Sequence, residues 1–241
     1  MKKRLFFDQD GVLAKHGFDP TKPYLHKFRE KGYYLNLPEH ENITSAVHKL
    51  YATRSDDYEQ FMISAVYRDA RYALSEKHDW ADLKIPEIDV KHRIFILCGD
   101  NKFAYVPGFD PSTDILIDDF GENCRAWRNA GGFYIKVSAD AEDAKVEAKK
   151  HRYVIHPGMS TEDIIKVIDK VSSDLDEFYE NEYDIECIET YSEVYRGIKG
   201  KTYADAVERL DALIRDHYFD GPRYCVFSEY IDRTRKEDLD D

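Results

Sequence analysis

The chain has 241 residues, a length that suits one α/β domain with an insert or two small domains. Hydrophobic residues make up 42% and aromatic residues 14%, which excludes a disordered chain. The formal net charge of -13 argues against a nucleic-acid binder that works through a broad basic surface, although a bound cation and one lysine can still reverse the field inside a small phosphate pocket.

Short apolar runs in the first 140 residues predict β-strands. The runs are 3–8, 58–66, 92–100, 113–119 and 131–137. Their apolar character is continuous rather than alternating, which is typical of strands buried on both faces of a parallel sheet. The sequence therefore predicts a five-stranded parallel sheet.

Helical patterns fall between these runs. They cover 42–52, 68–80, the start of the segment at 101–106, and 122–130. Strand and helix in alternation predict an α/β fold with a doubly wound, Rossmann-like sheet. The segment after the first strand is irregular and rich in aromatic residues, so we predict a small cap insert over 15–52 and an α/β core over 1–14 and 53–157.

A change of character at residue 158 predicts a third part, a helical C-terminal extension over 158–241. Ser160 or Thr161 caps a helix with apolar residues at helical spacing, and a tyrosine-rich, mostly helical pattern follows. If these helices present an apolar face, a second copy of the chain is a candidate partner for it.

The sequence gives no targeting signal that we recognise. The start "MKKRLFF" is basic and then apolar, but the apolar run is too short for a secretory signal, and no run approaches transmembrane length. The four cysteines form no C-x-x-C pair, and Cys98 and Cys124 are predicted as small core residues. We expect a cytoplasmic protein without membrane association.

Polar residues follow the predicted strands at their carboxyl ends, where ligands of such sheets bind. In "RLFFDQDGVLA" the first strand delivers Asp8, and Asp10 follows two residues on. One carboxylate as nucleophile on phosphorus and one as general acid and then base is a workable division of labour. Gly11 lets the backbone turn close to a ligand.

Carboxylates beside a phosphate repel it, so such a site needs cations. "DILIDD" supplies Asp118 and Asp119 at the end of the fourth strand, and with Asp8 they are candidate ligands of Mg²⁺. Lys102 is a candidate to balance the charge and grip the phosphoryl group, and Ser64 to donate a hydrogen bond to it.

These segments resemble the four motifs of the haloacid dehalogenase-like (HAD) phosphohydrolases over about residues 1–140. The motifs are "DQDGVLA", "FMISA", Lys102 after "CGDN", and "LIDDFGEN". The resemblance implies Asp8 as nucleophile, Asp10 as acid/base, Ser64 and Lys102 as phosphate ligands and Asp119 as direct Mg²⁺ ligand. It also implies that Asp118 supports the metal and that the Asp10 backbone carbonyl contacts it. Asn123 stands where many members have an acidic residue.

A second resemblance concerns the cap. "KGYYLNLPEHENITSAVHKL" and "SEKHDWADLKI" are similar to segments of the 5'(3')-deoxyribonucleotidases. That resemblance implies that Tyr33 and Tyr34, with Phe18, line the cap and stack on a nucleobase, although tyrosines are more often packing residues.

The resulting prediction is a Mg²⁺-dependent phosphomonoester hydrolase that acts on a small phosphorylated metabolite, with a (deoxy)nucleoside monophosphate as one candidate. A dehalogenase would have no use for Asp10. A phosphomutase of the same type, and a non-catalytic binding or scaffold protein on the same fold, stay open as alternatives.

Overall fold

A computed structural model describes residues 2–16, 24–180, 183–185 and 198–200. The chain divides into two compact units, Met1–Ser172 and Ser173–Asp241. The long helix that begins at Thr161 starts in the first unit and ends in the second. Most of the predicted C-terminal extension, the dimer surface expected on it, and Phe18 lie outside the described residues.

The first unit carries most of the described secondary structure. Its strands are β1 Lys3–Phe7, β2 Tyr58–Val66, β3 Arg93–Leu97, β4 Asp114–Asp118, β5 Phe133–Val137 and β6 Val154–Ile155. Its helices are α1 Glu41–Arg54, α2 Ala73–Lys84, α3 Gly121–Asn129 and α4 Ala141–Glu147, followed by α5 Thr161–Glu180. Short 3-10 turns cover Tyr24–Arg29, Val90–His92 and Lys102–Tyr105. In the second unit, β7 Tyr183–Ile185 and β8 Ile198–Gly200 pair antiparallel.

The six strands of the first unit form one parallel sheet in the order β3-β2-β1-β4-β5-β6. β1 and β4 are neighbours at the centre, with Arg4 opposite Asp114 and Phe7 opposite Ile117. This arrangement confirms the predicted α/β fold with a Rossmann-like parallel sheet. Because all strands point the same way, the residues that follow them meet at one edge of the sheet.

The central strands are continuous apolar runs because helices cover both faces of the sheet. β4 is buried along its whole length. On one face, the Phe6 ring stacks on Phe61 at 4.8 Å between centroids and lies 5.5 Å from Trp127 of α3. This packing fixes the ends of β1 and β4, which carry the candidate site.

Several local elements differ from the sequence prediction. β7 and β8 are strands inside the part that was predicted to be a helical extension. α2 begins at Ala73 rather than at 68, because successive turns at Tyr67 and Ala70 precede it. The sequence pattern missed β6, which has only two residues, and α4, which buries no residue and so shows no apolar periodicity. Asp140 caps α4 by accepting hydrogen bonds from the backbone N–H groups of Glu142 and Asp143.

One cysteine prediction is wrong. Cys124 is buried on α3 as expected, but Cys98 is exposed, because β3 ends at Leu97 and the chain turns there. Within the described residues, no helix is both long enough and apolar enough to span a membrane. The division into core, cap and extension stays a prediction.

Candidate active site

The site begins where β1 and β4 end side by side. Asp8 follows β1 directly, and its backbone N–H donates to the Ile117 carbonyl at 2.9 Å. Asp118 is the last residue of β4 and is fully buried. The pairing of the two strands therefore places two carboxylates next to each other at the carboxyl edge of the sheet, as the sequence predicted.

Lys102 joins these two carboxylates. Its Nζ lies 2.7 Å from Asp118 Oδ2 and 3.0 Å from Asp8 Oδ1, and its side chain is buried. Burial lowers the pKa of Lys102, but Asp118 and Asp8 outweigh burial and raise it above the ordinary value. Lys102 is therefore a fixed positive charge at the centre of the site. Lys91, the nearest lysine before β3, lies at the opposite end of that strand and pairs with Asp89.

Asp118 is held from several sides. The Phe120 N–H donates to Oδ1 at 2.8 Å, and the Asn123 side-chain amide donates to both carboxylate oxygens at 3.2 and 3.0 Å. With Lys102 on Oδ2, both oxygens already have partners. Asn123 thus orients Asp118. A carboxylate held at both oxygens in this way suits the predicted role of supporting a metal ion.

Asp119 completes a group of three carboxylates. Ligand oxygens of Asp8, Asp118 and Asp119 all lie within 4.8 Å of one another, and Asp119 is the most exposed of the three. Burial, followed by the charges of Asp118 and Asp8, raises the pKa of Asp119 to about 8. Burial is also the largest cause of the pKa of Asp8 rising to about 6, against the opposing charge of Lys102. All-oxygen donors that repel one another fit a hard divalent cation such as Mg²⁺.

The carboxylate of Asp10 is not a member of this group. It pairs with Lys77, whose Nζ lies 2.6 Å from Asp10 Oδ2 and 2.7 Å from Ser64 Oγ. The other oxygen, Asp10 Oδ1, is buried and has no hydrogen-bond partner among the described residues. Contact of the Asp10 backbone carbonyl with a metal stays a prediction.

Lys77 is a site residue that the sequence reasoning missed. It lies on α2, and its side chain is fully buried. A usable signal was present, because Ala73, Lys77 and Trp80 share the buried face of that helix. A lysine on a core-facing helix position is unusual unless a charge or ligand pairs with it.

Gly11 is required by its conformation and by its neighbour. Its φ is +82°, in the left-handed region, and a Cβ built on it would overlap the Asp119 carboxylate. The glycine therefore lets the turn after Asp10 lie against Asp119, so the segments that follow β1 and β4 approach closely.

The two predicted stacking residues have different surroundings. Tyr34 is 1% exposed, its ring lies 4.7 Å from Lys77 Nζ, and its hydroxyl is buried without a partner among the described residues. Tyr33 is half-buried and its hydroxyl lies 3.2 Å from His16 Nδ1. Both belong to an aromatic cluster with Phe28, whose ring also stacks on Tyr67 at 5.4 Å. Their contact with a substrate stays a prediction.

An open groove of about 460 Å³ adjoins the site, and its lining includes the Asp119 carboxylate and the neighbouring Gly11. Lys15, His16 and Lys136 are among its other lining residues. Lys136 is a second residue that the sequence reasoning missed. It is a lysine inside the apolar strand β5, and its Nζ donates to the Asp119 carbonyl at 2.6 Å. It therefore fixes the backbone that carries the Asp119 side chain.

No protein-family model and no curated protein matches the sequence. Among solved structures, the chain is similar to D,D-heptose 1,7-bisphosphate phosphatase from Burkholderia thailandensis, with 12% identity, a TM-score of 0.42, and coverage of 71% of this chain and 99% of that chain. A putative β-phosphoglucomutase from Bacteroides vulgatus has 15% identity and a TM-score of 0.45, over 72% of this chain and 90% of that chain. The D,D-heptose 1,7-bisphosphate phosphatase from B. bronchiseptica, complexed with magnesium and phosphate, has 15% identity and a TM-score of 0.43, over 69% and 99%.

Proposed function

We propose that this chain is a Mg²⁺-dependent phosphomonoester hydrolase of the haloacid dehalogenase-like type, which acts through an aspartyl-phosphate. The observation that carries the proposal is the convergence of Asp8, Lys102 and Asp118 at the carboxyl ends of β1 and β4. Asp119 and the Asp10–Lys77 pair lie beside them. These groups are those that phosphoryl transfer to a carboxylate needs.

Asp8 is the nucleophile in this proposal. Its Oδ1 accepts from the Gln9 N–H at 2.8 Å and pairs with Lys102, which fixes the carboxylate and leaves Oδ2 as the attacking oxygen. The Oδ2–P bond forms in line as the bond from phosphorus to the leaving oxygen breaks. Asp10 donates its proton to that oxygen, because an alkoxide leaves poorly without one.

The second half-reaction reverses the role of Asp10. The Asp10 carboxylate now accepts a proton from a water molecule, the water oxygen bonds to phosphorus, and the Asp8–phosphorus bond breaks. Inorganic phosphate leaves, and Asp8 is a carboxylate again. Lys102 has a third hydrogen beyond its two carboxylate partners, which it can offer to a phosphoryl oxygen in both half-reactions.

Asp8 and Asp119 would hold Mg²⁺ directly, and Asp118 would support it. When bound, the ion offsets the negative charge of the carboxylates and of the transferring phosphoryl group. Three carboxylate groups lie close together at this position, and the pKa of Asp119 is raised to about 8. Lys136 anchors the backbone of Asp119. These features support a cation at this position.

The substrate in this proposal is a small phosphorylated metabolite, and a (deoxy)nucleoside monophosphate is the first candidate. The aromatic cluster around Phe28 supports a planar leaving group, and the half-buried Tyr33 is the member to contact it. The groove beside Asp119 gives a second place for the leaving group, with Lys15 and Lys136 in its lining.

The test is phosphate release from a panel of phosphomonoesters, with nucleoside monophosphates included, in Mg²⁺ and in EDTA. We expect release only with Mg²⁺, and a loss of about 10⁴-fold or more in kcat for Asp8→Asn, which keeps the shape of the side chain but removes the nucleophile. Asp57→Asn is the matched control, because Asp57 is an exposed aspartate paired with Arg54 on the surface.

Three outcomes contradict the proposal in different ways. Release that survives in Asp8→Asn contradicts the nucleophile assignment. Transfer of the phosphoryl group back to the substrate, without free phosphate, indicates a phosphomutase. No reaction with any substrate, together with unchanged folding, favours a binding or scaffold protein on the same fold.

A further inference from the structure

The buried ammonium group of Lys77 lies between two residues of the proposed mechanism. Its Nζ donates to Asp10 Oδ2 at 2.6 Å and to Ser64 Oγ at 2.7 Å, and Lys77 and Ser64 are both completely buried. The ring of Tyr34 lies 4.7 Å from the same nitrogen. A lysine ammonium has three hydrogens, so two carry hydrogen bonds and the third side faces an aromatic ring. Lys77 therefore has no free hydrogen to bind a phosphate.

The bond to Asp10 distinguishes the two oxygens of that carboxylate. Oδ2 accepts from Lys77, while Oδ1 is buried without a partner among the described residues. A buried carboxylate oxygen without a partner is costly unless a ligand or a proton meets it. The geometry leaves Oδ1 as the oxygen that exchanges a proton with the leaving group and with water.

The bond to Ser64 fixes the direction of a hydroxyl group. Lysine only donates, so Ser64 Oγ is the acceptor, and the hydroxyl hydrogen remains available. Ser64 can then donate to an oxygen of the transferring phosphoryl group, as the sequence predicted. One ammonium group thus orients the proton carrier and a phosphate ligand together.

We propose that Lys77 is a positioning residue that holds Asp10 for the second half-reaction and Ser64 as a donor to the phosphoryl group. This inference rests on the proposed function. In the step concerned, a water oxygen bonds to phosphorus, the water proton moves to Asp10 Oδ1, and the Asp8–phosphorus bond breaks with its electron pair returning to Asp8. Lys77 itself neither gains nor loses a proton.

The test is rapid-quench kinetics with p-nitrophenyl phosphate and Mg²⁺. p-Nitrophenolate leaves without a proton, so the first half-reaction needs Asp10 little, and the second needs it fully. For Lys77→Met we expect first-turnover p-nitrophenolate release within about tenfold of wild type, but steady-state turnover about 100-fold slower. The variant should show a burst that approaches one p-nitrophenolate per enzyme, with phosphoenzyme accumulating.

The matched control is Lys3→Met. Lys3 is also a buried lysine, at the other end of β1, and its Nζ donates to the Ser112 carbonyl at 2.9 Å. We expect this variant to keep the wild-type turnover without any added burst. A Lys77→Met variant whose burst phase and steady state slow equally overturns the role of Lys77 in holding Asp10, and a turnover that stays within about threefold of wild type overturns the whole inference.

If Lys77→Met does not fold, a double variant replaces it. Asp10→Asn with Lys77→Met also removes the partly buried Asp10 charge that the single variant leaves without a cation. Asp10→Asn with Lys77→Met should lose its phosphoenzyme at a rate within about tenfold of Asp10→Asn alone, since Lys77 acts mainly through Asp10. A further 100-fold loss overturns the inference. A wild type that forms no phosphoenzyme contradicts the proposed function as well, whereas a normal wild type with an unaffected Lys77→Met contradicts only the role of Lys77.

Discussion

The same two strands, β1 and β4, carry buried charges at both of their ends. At the amino end, Arg4 binds the fully buried Asp114 through two contacts of 2.6 Å, and Asp114 also accepts from the Thr113 hydroxyl at 3.0 Å and the Asp110 N–H at 2.9 Å. At the carboxyl end, Lys102 is shared between Asp8 and Asp118, and Asp119 adds a third carboxylate.

The difference is one of balance. At the amino end, Arg4 and the buried Asp114 form a one-to-one ion pair, with partners on both carboxylate oxygens, and the buried Lys3 donates to the Ser112 carbonyl. The carboxyl end has more carboxylates than cations, and beside it Asp10 Oδ1 has no partner among the described residues. A one-to-one buried ion pair is satisfied by residues of the chain alone. A group with excess carboxylates instead favours a bound cation and an incoming ligand. Charge balance, rather than charge alone, therefore separates the structural end of the sheet from the functional end.

The largest difference in stability between the two ends should appear when the cation is removed from each. Lys102→Met leaves two adjacent buried carboxylates without their shared cation, and we expect a loss of about 3–5 kcal/mol in the free energy of unfolding in EDTA. A saturating divalent cation should restore part of that loss. Urea denaturation with and without Mg²⁺ measures both effects.

Arg4→Met is the control at the other end of the same strands. It leaves the single carboxylate Asp114 with hydrogen bonds from Thr113 and Asp110, so it should be destabilising, but Mg²⁺ should restore nothing. If Mg²⁺ stabilises the two variants equally, the carboxyl end is not a specific cation site.

Substitution of glycine tests how closely the turn after Asp10 approaches Asp119. Gly11→Ala forces a left-handed conformation on alanine and a Cβ against the Asp119 carboxylate, for an expected loss of about 2–4 kcal/mol. Gly108→Ala has a similar φ of +58° but open space around the Cβ, so about 1–2 kcal/mol should be lost. Denaturation curves give both values, and isothermal titration with Mg²⁺ should show weaker binding for Gly11→Ala only. Equal losses for the two variants would mean that Asp119 moves aside freely.

The pH dependence of stability should distinguish Asp119 from an ordinary surface carboxylate. Its pKa is raised to about 8, so the folded, metal-free protein binds this proton more tightly than the unfolded chain. Unfolding free energy is then lost as pH rises from about 4 to 8. Asp119→Asn should be more stable than wild type in EDTA at pH 8.5 by about 1–2 kcal/mol, allowing for its partial exposure, and nearly equal at pH 4.

Asp140→Asn gives the opposite sign. Hydrogen bonds from the backbone of Asp143 and Glu142 lower the pKa of Asp140, so wild type should be the more stable protein at high pH, with the advantage lost on acidification. Urea denaturation across pH measures both variants. A stability advantage of Asp119→Asn at pH 4, or its absence at pH 8.5, would contradict the conclusion that burial and the neighbouring carboxylates raise the pKa of Asp119.

Much of the fold followed from local pattern. Apolar runs predicted β1 to β5, because a strand buried on both faces shows itself in five to nine residues of sequence. The elements that were missed are β6, β7, β8 and α4. The three strands have two or three residues each and α4 buries no side chain, so they have little pattern of their own. Cys98 was misplaced because a strand end is harder to locate than a strand.

The sequence by itself determined the α/β sheet and placed Asp8 and Asp118 at its carboxyl edge, because strand direction and strand length fix where a run of residues ends. It could mark Lys77 as a lysine on a core-facing helix position but could not name its partners, since only the packing of α2 brings that ammonium within 2.7 Å of Asp10 and Ser64. Nor could it show that Lys102 is shared by two carboxylates. Partners of a buried charge depend on contacts between residues distant in the chain, and those contacts exist only in the folded structure.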